Sequence, residues 1–259
     1  MYEKEFKLAK KLIRYVGKHI INHSAGKVSS KGKFDFVTDK DFESEQYLIN
    51  NIKKSFANDN FLTEESYSQS QILDRTWIID PIDGTHNFMN NFHIFCVQLA
   101  FYDAGNTQFS IIYIPKLDEF YYAIRNQGAY LNEKRLKIDS LADPKTMLVD
   151  ADFSKNSDVM RLNFNIMEEI ENDCLSFRDL GSYGCECAFF ASGRFAIYYH
   201  INRKINPWDR MPGELLCIEA GAFSTYKKYN NFVYHILAIN EDILNRMEEI
   251  IKRNIDKMQ

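Results

Sequence analysis

The sequence Trp77-Ile78-Ile79-Asp80-Pro81-Ile82-Asp83-Gly84-Thr85-His86-Asn87-Phe88 joins an apolar run to two carboxylates and a Gly-Thr turn. The apolar run predicts a buried strand that ends at Asp80-Pro81, and the turn predicts the start of a helix. A helix start offers free backbone N–H groups to a phosphate, and neighbouring carboxylates bind the cation that neutralises it. The segment therefore predicts a site that holds a metal ion and a phosphate together.

Composition is typical of a globular protein. The chain has 259 residues, of which 45% are hydrophobic and 26% charged, so it is long enough to bury a substantial core. Its net charge of −4 gives no overall reason to expect nucleic-acid binding. Residues 1–6 are charged and lack the apolar region of a signal peptide, and five scattered cysteines favour free thiols over a zinc site. We therefore expect a cytoplasmic protein with no membrane or nucleic-acid partner.

Hydrophobic periodicity divides the chain into two parts. Apolar residues every three or four positions from Phe6 to Ile20 predict a core-packing helix, with a membrane-surface helix as the alternative. A loop near 24–33, a second helix from Asp39–Asp41 and an antiparallel meander over 93–138 follow. Beyond a polar segment at 140–145, strands alternate with helices near 157–171, 183–192, 209–221 and 241–257. We expect an N-terminal α+β domain over 1–142, carrying most metal ligands, and a C-terminal α/β domain over 143–259.

Three further acidic segments adjoin apolar stretches and are expected to converge with Asp80 and Asp83. They are Asp35-Phe36-Val37-Thr38-Asp39-Lys40-Asp41, Thr63-Glu64-Glu65-Ser66 and Pro207-Trp208-Asp209. Taken singly, each acid fits a helix cap or a solvated surface position. Crowded carboxylates repel one another, and a divalent cation removes that cost. A set of oxygen ligands alone favours Mg²⁺ over zinc.

Together these segments resemble the motifs of the inositol monophosphatase family. Residues 80–88 look like its D-P-I-D-G-T-x-N-F signature, and Glu64-Glu65-Ser66 resembles its G-E-E-S element, with Thr63 in place of glycine. Residues 35–41 are similar to D-x-V-T-x-x-D, and Trp208-Asp209 with Glu219-Ala220-Gly221-Ala222 resembles W-D-x-A-A-G…E-A-G-G. The resemblance implies an α/β fold layered as an αβαβα sandwich. It also implies a homodimer with Mg²⁺-dependent, Li⁺-sensitive phosphomonoesterase activity.

The resemblance further implies a role for each matching residue. Of two or three Mg²⁺ ions, the first would be held by Glu64, Asp80 and the carbonyl of Ile82, the second by Asp80, Asp83 and Asp209, and a third would lie beside Glu64. Glu64 and Thr85 would activate the attacking water, and Asp41 would orient Thr85. The N–H groups of Gly84 and Thr85 would bind the phosphate, with further substrate contacts from Asp83 and Asp209.

Two segments depart from the family pattern. Arg210-Met211-Pro212-Gly213 replaces small residues, and we expect Pro212 in the first turn of its helix, where a missing N–H is tolerated. His200 replaces an acidic residue of inositol-specific members, and Arg203 and Lys204 follow it in a longer loop. These three residues are our candidates for setting substrate specificity.

The expected substrate is a small phosphorylated polyol such as inositol monophosphate. Arg203 and Lys204 leave two interpretations open, because they either contact a second phosphate or are solvated on a loop. The first interpretation corresponds to a fructose-1,6-bisphosphatase or to a phosphatase of nucleotides such as 3′-phosphoadenosine-5′-phosphate or NADP⁺. A non-catalytic partner of the transcription machinery is an alternative of a different class.

Overall fold

The computed structural model describes residues 2–21, 26–32, 35–69, 71–153 and 156–258. Seven helices and fourteen strands are assigned within them. In chain order they are α1 (Glu3–Ile20), β1 (Val28–Gly32), β2 (Asp35–Thr38), α2 (Asp39–Ser55), β3 (Asn60–Thr63), β4 (Thr76–Asp83), α3 (Thr85–Met89), β5 (Cys96–Asp103), β6 (Asn106–Ile114), β7 (Glu119–Ile124), β8 (Gly128–Leu131), β9 (Lys134–Arg135), β10 (Leu148–Asp152), α4 (Ser157–Ile170), β11 (Ser176–Arg178), α5 (Tyr183–Ala191), β12 (Phe195–Asn202), α6 (Pro207–Ala220), β13 (Phe223–Tyr229), β14 (Phe232–Ala238) and α7 (Glu241–Asp256).

The elements stack in five layers. Helices α1 and α2 cover the outer face of a seven-stranded sheet, ordered β3-β4-β5-β6-β7-β8-β9. Helices α5 and α6 lie between this sheet and a five-stranded sheet, ordered β11-β10-β12-β14-β13. Helices α4 and α7 cover the outer face of the second sheet. This arrangement confirms the expected αβαβα sandwich, while the domain boundary between 142 and 143 stays a prediction.

The regular apolar patterns form the elements that they predict. Ala9, Ile13, Val16 and Ile20 of α1 are buried against the first sheet, as expected of a core-packing helix. Strands β5 to β9 pair antiparallel in sequence order, as expected of a meander. All five cysteines are free. Within the described ranges, no helix has both the length and the apolar character needed to cross a membrane.

The end of β4 differs from the expectation. The strand continues through Asp83 instead of ending at Asp80-Pro81. Its pairing with β5 shifts between Asp80, opposite Gln98, and Asp83, opposite Cys96. Pro81 lies inside this irregularity, where its missing N–H costs no ladder hydrogen bond. Because of this irregularity, the three-residue step from Asp80 to Asp83 on β4 lies opposite a two-residue step on β5.

The start of α6 also differs. The helix begins at Pro207, two residues earlier than predicted, with Asn206 as its N-cap. Pro207 takes the first helical position, which tolerates proline, and Asp209 lies in the first turn. Pro212 therefore lies inside the helix, not in its first turn. Its ring removes one main-chain hydrogen bond from the helix interior.

Strands β1 and β13 are two that were not predicted. Residues 28–32, expected as part of a loop, pair with β2, whereas residues 24, 25 and 33 of that loop lie outside the described residues. Strand β13 forms the edge of the second sheet. Strands β1 and β13 carry mostly polar, exposed residues. They lack the apolar alternation from which a strand is recognised.

Candidate metal centre and active site

Three carboxylates converge between the first sheet and α6. Asp80 and Asp83 lie at the C-terminal end of β4, and Asp209 lies in the first turn of α6. One carboxylate oxygen of each residue lies within 4.8 Å of those of the other two. No other three His, Cys, Asp or Glu side chains meet so closely in the part of the chain that the structure describes. The D-P-I-D-G-T-x-N-F segment and the Trp208-Asp209 segment thus meet at one point.

Repulsion and burial disfavour the ionised forms of these acids. Burial, followed by the charges of Glu64, Asp83 and Asp209, raises the pKa of Asp80 well above its usual 3.8. Burial, followed by the charges of Glu64 and Asp83, raises the pKa of Asp209 in the same way. A divalent cation between the carboxylates removes this repulsion, and an all-oxygen donor set suits Mg²⁺. The residues present therefore fit the metal that the family resemblance implies.

Glu64 lies at the rim of the carboxylate cluster. It follows β3 directly, and its N–H donates to the carbonyl of Ile79 on β4 at 3.3 Å. Among neighbouring charges, that of Glu64 contributes most to the raised pKa values of Asp80 and Asp209. The half-buried Glu64 carboxylate lies outside the group that meets within 4.8 Å. The parallel pairing of β3 with β4 is what brings it here.

Asp83 receives hydrogen bonds from α5, which was not predicted to contribute. The hydroxyl of Ser182 and the N–H of Gly184 donate to its Oδ2 at 2.6 and 2.7 Å, and the thiol of Cys96 lies at 3.5 Å. These bonds stabilise the carboxylate, so they offset part of the rise in its pKa that burial causes. Gln98 likewise donates to Oδ2 of Asp80 at 3.4 Å.

Thr85 and Asp41 meet beside the cluster. The Thr85 hydroxyl lies 3.3 Å from Oδ1 of Asp41 and 3.0 Å from the carbonyl of Ile82. The other oxygen of Asp41 accepts the N–H of Thr38 at 2.8 Å and also the Thr38 hydroxyl, in a capping box at the start of α2. Asp41 is completely buried and fixed in orientation by these bonds.

Gly84 makes the tight turn between β4 and α3. Its φ of +84° lies in the left-handed region that favours glycine. A Cβ atom at this position would lie 2.9 Å from Cβ of Ser182 and 3.2 Å from the carbonyl oxygen of Ile94. The turn therefore requires glycine for both conformation and space.

The three specificity candidates lie in two different places. His200 is buried on β12, with its ring 5.2 Å from that of Tyr183 at the start of α5. Arg203 lies on the outer face of the second sheet instead, 3.3 Å from Asp158 of α4 and 4.0 Å from the ring centroid of Phe232. It lines a cavity of about 390 Å³ beside α4 and α7. Lys204 is exposed. The structure does not bring Arg203 to the carboxylates.

Sequence reasoning missed Ser182, Gly184 and Gln98. None of them is acidic, and none belongs to the four motifs. The two glycines and the serine of Gly181-Ser182-Tyr183-Gly184, at the start of an apolar helix, were the available signal, since small residues allow close approach of a helix start. Their partners are too far away in sequence to be inferred from spacing.

The chain is similar to several known proteins. The model of the inositol monophosphatase family matches residues 1–252. Nus factor SuhB of Escherichia coli K12 is 33% identical over 244 residues, which cover 92% of this chain and 91% of that protein. A solved IMPase of Thermotoga maritima has a TM-score of 0.86 at 28% identity, covering 100% of both chains. The extragenic suppressor protein suhB of Bartonella henselae has a TM-score of 0.85 at 25% identity, covering 96% of this chain and 98% of that chain.

Proposed function

Because the chain belongs to the inositol monophosphatase family, we propose that it is a Mg²⁺-dependent phosphomonoesterase acting on a small phosphorylated polyol such as inositol monophosphate. The observation that carries the proposal is the convergence of Asp80, Asp83 and Asp209 within 4.8 Å. Three acids that repel one another in the folded protein are costly unless a cation joins them. Phosphate monoesters are dianions, and the same cation neutralises them.

The proposed metal ligands are those that the family resemblance implies. We assign Glu64, Asp80 and the Ile82 carbonyl to one ion, and Asp80, Asp83 and Asp209 to a second, with a third ion beside Glu64. When bound, these ions neutralise the phosphate and stabilise the charge that develops on the attacking and leaving oxygens. The Ile82 carbonyl accepts from Thr85 and keeps a second lone pair for this role.

The protein's own groups position the reactants. The Thr85 hydroxyl donates its hydrogen bond to Asp41 or to the Ile82 carbonyl, so its oxygen can accept a hydrogen bond from a donor such as water. Glu64, at the rim of the cluster, accepts the proton that the attacking water loses. The N–H groups of Gly84 and Thr85 at the start of α3 bind phosphate oxygens. Asp83 and Asp209 border the same space and contact the substrate.

Substrate choice depends on His200 in this proposal. It lies near the start of α5, on the side of the second sheet that faces the carboxylates, whereas Arg203 lies on the opposite side. The position of Arg203 supports a monophosphate over fructose-1,6-bisphosphate or a nucleotide phosphate. We further propose a cytoplasmic homodimer that Li⁺ inhibits, as the family resemblance implies. Light scattering and a Li⁺ titration of activity test these two properties.

The deciding experiment is phosphate release from a panel of substrates. It comprises inositol-1-phosphate, fructose-1,6-bisphosphate, 3′-phosphoadenosine-5′-phosphate and NADP⁺, each with Mg²⁺, with EDTA, and with the Asp83→Asn variant as a blank. We expect turnover of inositol-1-phosphate that requires Mg²⁺ and Asp83. Mg²⁺-dependent turnover of a bisphosphate alone would contradict the substrate, and no turnover at all would contradict the enzymatic proposal.

A second candidate function is that of a partner of the transcription machinery. The observation that favours it is the name Nus factor carried by the Escherichia coli relative. This candidate conflicts with the expectation, drawn from the net charge of −4, that the protein has no nucleic-acid partner. Binding of the tagged chain to purified transcription complexes tests it, with Asp83→Asn as the control. If both forms bind equally, the partner role is independent of the metal centre, whereas no binding by either form contradicts that role.

A further inference from the structure

The first turn of α5 holds one of the three carboxylates in place. Ser182 occupies the N-cap position of α5, but its side chain makes no hydrogen bond to its own helix. Its hydroxyl and the N–H of Gly184 instead donate to Oδ2 of Asp83, at 2.6 and 2.7 Å. Asp83 therefore caps α5 in place of Ser182. With Oδ2 taken up by these donors, Oδ1 is the oxygen left for a cation.

The approach of α5 to Asp83 is as close as the chain allows. A Cβ atom on Gly184 would lie 2.6 Å from Sγ of Cys96, 2.7 Å from Oε1 of Gln98 and 3.1 Å from Oδ2 of Asp83. No side chain larger than hydrogen fits there without displacing its neighbours. A shift of the first turn of α5 would consequently move the Asp83 carboxylate with it.

Tyr183 lies between Ser182 and Gly184 in the chain, but its side chain contacts the second sheet instead of Asp83. Its hydroxyl lies 2.5 Å from Nδ1 of His235 on β14, and the two rings are parallel to within 2°. His235 is completely buried, and its Nε2 lies 3.2 Å from the hydroxyl of Ser224 on β13. Both ring nitrogens of this histidine thus have hydroxyl partners.

His235 stays neutral in this setting. Burial, and then the electrostatic effect of Arg210 and His200 beside it, hold its pKa well below its usual value. A neutral imidazole donates with one nitrogen and accepts with the other, and the hydroxyls of Tyr183 and Ser224 can take either role. The contact with Tyr183 is therefore maintained across the neutral pH range.

We propose that His235 is a positioning residue of the metal centre, which fixes the first turn of α5 through Tyr183 and thereby sets the orientation of Asp83. The contacts run from β14 in the five-stranded sheet to Asp83 at the end of β4 in the seven-stranded sheet. The inference rests on the proposed function, in which Asp83 binds Mg²⁺. It assigns to the second sheet a part in metal binding that the acidic motifs do not indicate.

A pair of matched substitutions at His235 tests the proposal. His235→Asn keeps a polar atom near the position of Nδ1, whereas His235→Gln keeps one near Nε2 and loses the partner of Tyr183. Mg²⁺ affinity is measured by calorimetry on the purified protein, and the Mg²⁺ dependence of phosphate release is measured beside it. We expect His235→Gln to weaken Mg²⁺ binding by about tenfold, as the loss of outer ligand partners does elsewhere, and His235→Asn to retain it.

Tyr183→Phe, which removes one hydroxyl, should match His235→Gln in Mg²⁺ affinity. The double variant should lose no more than either single variant, because both break the same contact. In each weakened variant, activity should recover as the Mg²⁺ concentration is raised, which a general loss of structure would not allow. If the histidine variants do not fold, Tyr183→Phe decides by the same titration.

The outcomes separate this inference from the function on which it rests. Wild-type affinity for Mg²⁺ in a folded Tyr183→Phe protein would overturn the positioning role and leave the phosphatase proposal intact. Equal loss of affinity in His235→Asn and His235→Gln would also overturn it, since the position of the hydrogen bond would then not matter. Failure of the unmodified protein to bind Mg²⁺ would contradict the proposed function itself.

Discussion

Thr85 and Asp41 meet at 3.3 Å between the hydroxyl and Oδ1, although 44 residues separate them in the chain. The capping box of α2 holds Asp41 from its other side, through the N–H and the hydroxyl of Thr38. An ordinary helix cap thereby orients the hydroxyl to which we assign a part in activating water. The carboxylate of Asp41 thus belongs both to the helix cap and to the candidate active site.

Replacing Thr85 by valine removes the hydroxyl and nearly preserves the shape of the side chain. We expect kcat for the preferred substrate to fall by about 10²–10⁴-fold, the usual range for loss of acid–base assistance, while Mg²⁺ affinity changes little. Steady-state kinetics at saturating Mg²⁺ measure this. Thr85→Ser is the matched control and should keep most of the activity. Full activity in Thr85→Val would remove Thr85 from the mechanism.

Asp209→Asn should separate stability from activity. The substitution removes one of three mutually repelling carboxylates, so the metal-free protein should become more stable, by about 2–4 °C in Tm for each kcal/mol gained. Activity should fall by more than about 100-fold, because even outer partners of a metal are worth 10–100-fold. Thermal unfolding in EDTA and phosphate release in Mg²⁺ measure the two effects. If Asp209→Asn had a lower Tm in EDTA than the wild type, repulsion among the three carboxylates would be contradicted.

The raised pKa values of Asp80 and Asp209 predict how stability depends on pH. Because both lie above the usual 3.8 in the folded state, their contribution to the stability of the metal-free protein is fully present below pH 3.8 and is lost as pH rises through the raised values. Mg²⁺ binds the ionised forms, so it should abolish this loss. Tm measured in EDTA and in Mg²⁺ from about pH 4 to about pH 8 should therefore diverge with rising pH. If the two Tm curves ran parallel, Mg²⁺ binding by the ionised Asp80 and Asp209 would be contradicted.

Gly184→Ala should perturb the centre without touching a ligand. Alanine is the better helix former, yet its Cβ would collide with Cys96 and Gln98 at 2.6 and 2.7 Å. We expect a loss of about 1–3 kcal/mol in the free energy of unfolding, typical of overpacking, together with weaker Mg²⁺ binding. Urea unfolding and calorimetry measure both. Gly193→Ala is the control: its Cβ meets nothing within 4 Å but its φ of +79° strains alanine, so it should lose stability and still keep the Mg²⁺ affinity of the wild type.

Arg203→Ala/Lys204→Ala should leave turnover unchanged on every substrate of the panel. The guanidinium of Arg203 is held by Asp158 and Phe232 on the outer face of the second sheet. Its exposed ion pair is worth about 0–1 kcal/mol, so stability should change little as well. Kinetics on fructose-1,6-bisphosphate and inositol-1-phosphate measure the effect, with Asp158→Ala as the control. A selective loss of bisphosphate turnover would restore the second-phosphate interpretation.

Elements that bury a regular apolar pattern could be predicted from the sequence. Helix α1 is an example, since its stripe from Ala9 to Ile20 packs on the sheet as its spacing indicates. Strand β13 is the opposite case, because exposed polar residues such as Lys227 and Lys228 give no pattern from which to predict a strand. The position of Pro212 was misjudged because Pro207, which takes the favoured first position of the helix, was not recognised as the helix start.

The acidic part of the candidate site was predictable because each acid adjoins an apolar run. Asp80 and Asp83 follow a strand, and Asp209 opens a helix, so the ends of these elements locate them. The bond between Ser182 and Asp83 spans 99 residues and involves no local pattern. The side to which Arg203 turns depends on Phe232 and Asp158, both distant in sequence. Such contacts follow only from the complete fold.

The central position of α6 has a consequence for synthesis of the chain. Trp208 and Met211 of this helix pack on Leu62, Ile78 and Ala100, on the face of the first sheet that bears the carboxylates. The ribosome synthesises β3, β4 and β5 early, whereas α6, which covers this face of the sheet, follows more than a hundred residues later. Until then the nascent sheet presents apolar surface, which invites aggregation or chaperone binding. The affinity of the chain for Mg²⁺ should consequently arise last, and a fragment that ends before α6 should neither bind the ion nor stay in solution.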